Sequence, residues 1–219
     1  MNLEEFFPVW KELSEKEKNK LKSSIATRRI PKGKTLQNDL SDCKGLFLIQ
    51  KGQLRAYIYS PAGKEISLYR LFDHDICLFS ASCMMEGITF HVTIEAEKDT
   101  DILVLSPMDY KEIMEESAPL ANYTNKIMAS RFSEVMWVME QVLWKSMDQR
   151  VASFLLEEMK LENSKTLKIT HERIAYHLGT AREVITRMLR YFQKEELVKL
   201  SRATIELIEI EKLKEIQKS

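Results

Sequence analysis

Nowhere in the 219 residues does an apolar run reach the roughly twenty residues that a membrane helix needs. The opening MNLEEFFPVW places acidic residues where a secretory leader needs basic ones, so the chain is expected to be cytoplasmic, with no membrane partner. Cysteine is scarce: Cys43, Cys77 and Cys83 are an odd number with no paired framework, which suits a reducing compartment. Glycine is scarce too, and none of the six lies in a Walker loop or a dinucleotide fingerprint, which excludes kinase, GTPase and Rossmann-type chemistry. Only four histidines occur (His74, His91, His171, His177), with no histidine-x-histidine pattern. No metal, no cofactor and no enzymatic activity are therefore expected, and a metal-dependent β-roll enzyme is the weaker rival reading. Charge of one sign is also lacking, since 33 basic residues balance 33 acidic ones. That balance excludes a protein that coats nucleic acid over its whole surface.

What is present has two characters. From Arg28 to Ser106 short runs such as Leu46–Ile49, Leu54–Tyr59, Ile66–Leu71, Val92–Ala96 and Ile102–Leu105 alternate with turns at Gly33, Gly45, Gly52, Gly63 and Gly87. Regular short strands with glycine turns predict an antiparallel sandwich or roll. Pro107 opens a helical stretch and a longer helix follows Pro119, in which Met128, Phe132, Val135, Met139 and Val142 step by four and three. That heptad step predicts a seam against a parallel twin, hence a homodimer. Ile127, Met136, Trp137, Val138, Leu143 and Trp144 add a second apolar face that can pack on the chain's own roll.

Beyond Met147 the order is helix 150–159, strand 167–169, two short helices, strand 197–200, a turn at 201–203 and strand 205–208. Helix, strand, helix, helix, hairpin is the order of a winged helix-turn-helix. Thr170 is placed to cap the first short helix, Ala175 to leave room where the helices cross, and Gly179 to take positive φ in the turn. Between Lys165 and Arg202 nine cationic residues face four glutamates, so an anionic partner would dock here. The second short helix carries Arg182, Glu183, Thr186, Arg187 and Arg190 towards its start and on one face. Arginine can bind guanine through O6 and N7, and glutamate can accept from cytosine N4. An intrahelical Glu183–Arg187 pair is the bland alternative and is compatible with base reading. Double-stranded DNA is the expected partner, with Arg182, Glu183, Arg187, Thr180, Thr186, Arg190 and Thr170 as its contacts.

GTAREVITRMLRYFQKEELVKL resembles the signature of the Crp–Fnr superfamily of transcription regulators, and IPKGKTL, IQKGQLRAY and DQRVASFLLEE extend the similarity over nearly the whole chain. The resemblance implies an α+β chain. Residues 1–118 would form an N-terminal antiparallel β-roll, a double-stranded β-helix like those that bind cyclic nucleotides. Residues 119–145 would form a long dimerisation helix and residues 146–219 a C-terminal winged helix-turn-helix. The family's base-contacting arginine, glutamate and second arginine match Arg182, Glu183 and Arg187, which implies a palindromic operator with guanines in each half. RNA polymerase and a small-molecule effector are the further partners it implies.

The sensor departs from the cyclic-nucleotide pattern. In LFDHDICLFSASC, Asp75 is kept, but His74 replaces the preceding glycine and Leu78–Phe79 replace the glycine-glutamate pair. Phe90 and His91 stand where arginine and serine belong. A desolvated phosphate needs paired charge or donors, so cyclic AMP is not the expected effector. Three alternatives stand for a site formed by Leu78, Phe79, Phe90, His91, Cys77 and Cys83. It takes a small apolar or aromatic effector, it is a metal, haem or thiol switch, or the roll is filled by its own side chains.

Overall fold

The computed structural model describes residues 3–37, 44–61, 63–84 and 91–218. The chain forms two compact units, Met1–Ile58 with Leu68–Met136, and Tyr59–Ser67 with Trp137–Ser219.

The first unit begins with 3-10 turns at Leu3–Glu5 and Trp10–Glu12 and helix α1 (Glu15–Ser23). Ser14 caps α1 by accepting from the Glu17 amide while the Glu17 side chain returns to the Ser14 amide, so two orphan donors are satisfied at once. Eight strands follow: β1 (Ile25–Ile30), β2 (Thr35–Gln37), β3 (Leu46–Lys51), β4 (Leu54–Tyr59), β5 (Glu65–Leu71), β6 (Ile76–Cys77), β7 (Thr93–Ala96) and β8 (Thr100–Leu105). They make two sheets, ordered β1-β8-β3-β6 and β2-β7-β4-β5. Strands β3 and β8 pair antiparallel with Phe47 opposite Val104 and Leu48 opposite Leu103.

Period-two alternation explains why Leu46–Ile49 and Ile102–Leu105 are apolar at every position, since both of their faces are covered. Phe47, Ile49, Ile102 and Val104 face the space between the sheets and pack with Leu54, Ala56, Ile94 and Ala96. Leu46, Leu48, Leu103 and Leu105 face the other way, onto Phe7, Trp10, Leu21, Tyr110 and Leu120. Strands β3 and β8, in the middle of the first sheet, thus send side chains into a core on each face, whereas the edge strand β1 is largely exposed. Gly52 holds the β3–β4 turn at φ +121, where a Cβ would fall 2.5 Å from the Thr100 hydroxyl and 2.7 Å from backbone. Helix α2 (Pro107–Glu116) starts on Pro107 with Ser106 as its cap, and α3 (Ala118–Trp144) runs for 27 residues.

The second unit contains α4 (Met147–Leu161), β9 (Thr166–Leu167), α5 (His171–Leu178), α6 (Arg182–Lys194), β10 (Val198–Ser201), β11 (Thr204–Leu207) and α7 (Ile210–Lys218). Its small sheet is ordered β10-β11-β9. Val151, Phe154 and Leu155 of α4 meet Ile174 of α5, Ile185, Leu189 and Phe192 of α6, and Leu213 of α7 in one core. Burying each such side chain contributes about 1.5–3 kcal/mol, so this core holds the helix pair in place without ionic help.

Candidate nucleic-acid interface

The turn between α5 and α6 is fixed by backbone chemistry. The Thr170 hydroxyl accepts from the Arg173 amide at 3.1 Å and so caps α5. At the far end the amides of Gly179 and Thr180 both return to the Ala175 carbonyl, with Gly179 at φ 65, ψ 35. This left-handed C-terminal cap needs a residue that tolerates the αL region, and glycine does so without a Cβ penalty. Ala175 is almost fully buried. The side chain of Ile66 lies 3.1–3.3 Å from where a Gly179 Cβ would stand, so the turn is closely covered within its own unit. His177 is buried beneath it, its Nδ1 2.9 Å from the Ser67 hydroxyl and its ring 5.1 Å from that of Phe154. The Arg150 guanidinium donates to the Leu178 carbonyl at the end of α5.

Helix α6 divides cleanly by face. Ile185, Leu189 and Phe192 are buried, while Arg182, Glu183, Arg187 and Arg190 are exposed. Thr186 is half-buried at the edge nearest α5. Its hydroxyl donates to the Arg182 carbonyl at 2.9 Å and lies 3.0 Å from Nδ1 of His171. Among the described residues, no carboxylate forms an ion pair with Arg182, Arg187 or Arg190, and Glu183 does not pair with Arg187. Partial burial, with the charges of Arg182 and Arg190, holds the His171 imidazole below its ordinary value. Thr170 is exposed and Thr180 half-buried at the mouth of the turn. Lys199 on β10 and Arg202 in the β10–β11 turn are exposed as well. The surface therefore presents donors and positive charge that the protein itself does not neutralise.

The proposed sensor residues are distributed differently. Leu78 packs in the core beneath the N-terminal helices, whereas Cys77 and Phe79 lie in the core between the sheets. His91 is exposed, and Phe90 lies outside the described residues. Cys77 is a free thiol, pushed up to about 11 by burial, whereas Cys83 is disulfide-bonded, which corrects the expectation that the cysteines form no pair and shows that Cys77 and Cys83 are not joined to each other. No group of three or more histidine, cysteine, aspartate or glutamate side chains suited to a metal occurs among the described residues.

Sequence reading missed a polar cluster inside this unit. Arg131 on α3 donates to both Glu134 oxygens at 2.8 and 2.9 Å and to Asp75 at 3.3 Å. Its guanidinium also lies 4.9 Å over the ring of the buried Tyr69. An arginine on a long helix reads as solvated from sequence, and only the carboxylate four-residue neighbourhood, SRFSE, hinted otherwise.

On the apolar stripe of α3, Phe132, Met139 and Val142 are 66, 49 and 44% exposed, with Trp137, Leu143 and Trp144 also exposed at 46, 60 and 80%. Met128 and Val135 are partly buried against the roll's own cores.

A two-sheet roll, a long helix and a winged helix-turn-helix with an uncompensated cationic helix define a DNA-binding transcription regulator. Residues 149–216 match the family model of the Crp-like helix-turn-helix domain, and residues 27–117 match that of the cyclic nucleotide-binding domain. A crystal structure from Eubacterium rectale, of a chain assigned to the Crp/Fnr family of transcriptional regulators, is 56% identical. It superposes with a TM-score of 0.95 over 98% of this chain and 99% of that one. The cyclic AMP receptor protein of Thermus thermophilus is 26% identical over 95% of this chain and 96% of its own length. The c-di-GMP-responsive regulator CLP of Xanthomonas campestris shares the fold at 14% identity, with a TM-score of 0.73 over 89% of this chain and 99% of that one. The chain belongs to the Crp/Fnr family. No helix among its described residues is long and apolar enough to cross a membrane.

Proposed function

We propose that this regulator works in the cytoplasm as a homodimer, reads a palindromic operator with α6, and answers to an effector other than cyclic AMP. The observation that carries the reading is the row of Arg182, Glu183, Arg187 and Arg190, exposed on one face of α6 with no ion pair among the described residues. Exposed arginines that no internal carboxylate engages keep their donors available, so such a face is suited to an external anion that brings acceptors in fixed geometry. In a parallel dimer the exposed seam of Phe132, Met139 and Val142 would bury against its twin, and two copies of α6 would enter successive major grooves about 34 Å apart. Thr170 and Thr180 would then contact phosphate, and Arg182, Glu183 and Arg187 base edges. Activation or repression would follow from where the operator lies relative to RNA polymerase.

Rejection of cyclic AMP is supported by Leu78 and Phe79, both apolar and buried where a cyclic phosphate would need donors. A thiol switch through Cys77 is disfavoured, because a thiol raised to about 11 carries almost no thiolate near neutrality.

The test is selection of bound duplexes from a random pool, followed by Arg182→Ala on the recovered duplex. Affinity should fall by about 1–3 kcal/mol with relaxed preference at one base pair. An equal fall on recovered and scrambled duplexes would demote Arg182 to a phosphate contact.

A further inference from the structure

The α6 face proposed to meet DNA contains one side chain whose only donor proton is already engaged. Thr186 sits one turn after Arg182 and one turn before Arg190, so it lies in the middle of the exposed row. A threonine in that position offers a base edge either its hydroxyl or its Cγ2 methyl. The hydroxyl has a single proton, and it is donated back to the Arg182 carbonyl at 2.9 Å. With that proton engaged, the Nδ1 of His171 at 3.0 Å takes the donor role and the Thr186 oxygen accepts. Two partners on two different helices hold one torsion, which is stiff already because Cβ is branched.

We infer that α6 reads a thymine through the Thr186 methyl group, with His171 as the positioning residue that keeps the hydroxyl turned away. This rests on α6 being the DNA-reading helix. The exclusion is chemical. Purine N7, guanine O6 and thymine O4 are acceptors and require a donor, which the engaged hydroxyl can no longer supply; its one remaining lone pair could meet only an adenine or cytosine amino group, a contact that replacing thymine by uracil would leave unchanged. The Cγ2 methyl is the group left to meet a base, and in the major groove its apolar match is the C5 methyl of thymine, which cytosine lacks. Arg182 and Arg190 on either side fix register by charge and bidentate bonding, while Thr186 adds a contact that depends on shape.

Uracil differs from thymine only in that methyl, so substitution isolates the contact. The probe is the duplex recovered by selection, with each thymine of a half-site replaced singly by uracil and affinity measured on the full chain. One position should lose about fourfold per half-site, equivalent to ~0.8 kcal/mol for one buried methyl-sized group. Thr186→Val keeps a methyl without a hydroxyl and should retain that uracil penalty. Thr186→Ser keeps the hydroxyl without the methyl and should bind thymine and uracil duplexes alike. A specifically bound duplex insensitive to uracil at every position, or a penalty that survives in Thr186→Ser, overturns the methyl reading alone. Failure to select any duplex overturns the operator reading together with it.

Discussion

Arginine has opposite fates in the two units. In the first, Arg55 is fully buried and lies 3.3 Å from Glu95, its direct cross-strand neighbour on β7. Arg70 meets Glu97 at 2.9 Å with both side chains largely covered, and Arg131 is held by Glu134 and Asp75. In the second, Arg182, Arg187 and Arg190 are exposed and no carboxylate of the described residues answers them. A guanidinium removed from water needs its charge compensated within the fold, whereas one at the surface can wait for a ligand. The comparison separates cations that organise the roll from cations available to a partner. It also shows why a net charge of zero says little about binding, since the charge of Arg55, Arg70 and Arg131 is cancelled locally and that of α6 is not.

The largest effect should come from breaking a buried pair. Arg55→Met removes a fully buried guanidinium and leaves the mostly covered Glu95 carboxylate without it. Loss of one partner of such a pair costs about 3–5 kcal/mol, and adding Glu95→Leu should recover much of it. Urea unfolding of the full chain measures both. If Arg55→Met lost less than about 1 kcal/mol, the buried arginines would not be organising the roll, and the contrast would fail.

In the second unit a comparable lesion lies in the backbone rather than among the charges. Gly179→Ala forces a Cβ onto φ 65 and brings it 3.1 Å from Ile66. The left-handed region costs about 1–2 kcal/mol for an L side chain, so the variant should unfold correspondingly earlier. Its operator affinity should fall too, because the turn sets the angle at which α6 leaves α5. Undiminished stability would mean that the turn relaxes freely and does not fix the reading helix.

These assignments were legible in the sequence to different degrees. The runs Leu46–Ile49, Leu54–Tyr59 and Ile66–Leu71, expected from alternation and glycine turns, lie within strands 46–51, 54–59 and 65–71, and the α5–α6 turn follows from Ala175 and Gly179, whose φ of 65 has the expected positive sign. Helix α1 left no such trace, since EKEKNKLKS buries only Leu21 and reads as a charged loop. Helix α7 was hidden likewise behind IEKLKEIQK, where Leu213 is the sole fully covered residue. The Arg131 cluster joins residues 56 positions apart, and no local spacing encodes that. Nor could spacing show that Leu78 and Phe79, adjacent in sequence, face different cores. Helical and strand periods report which face is buried, but not which of two cores receives it. The engagement of the Thr186 hydroxyl by His171, fifteen residues earlier, was invisible for the same reason.

The smallest expected effect is also the most direct probe of the uncompensated charge on α6. Burial first, then Arg182, then Arg190, hold His171 below its ordinary value of 6.5. The unfolded chain lacks all three influences, so between the folded and unfolded values it binds more protons than the native state. The part of the second unit's stability linked to His171 should therefore be complete above about pH 6.5 and be lost as pH falls from there through the folded value. Arg182→Ala should move the His171 titration, followed by NMR of the imidazole protons, back up part of the way towards 6.5, and Arg190→Ala should move it less. Burial would persist in both variants and keep the recovery incomplete. A titration indifferent to both substitutions would show that solvent already screens these guanidinium groups from a side chain in their midst, and the positive field ascribed to α6 would then be too weak to draw an anionic duplex towards it.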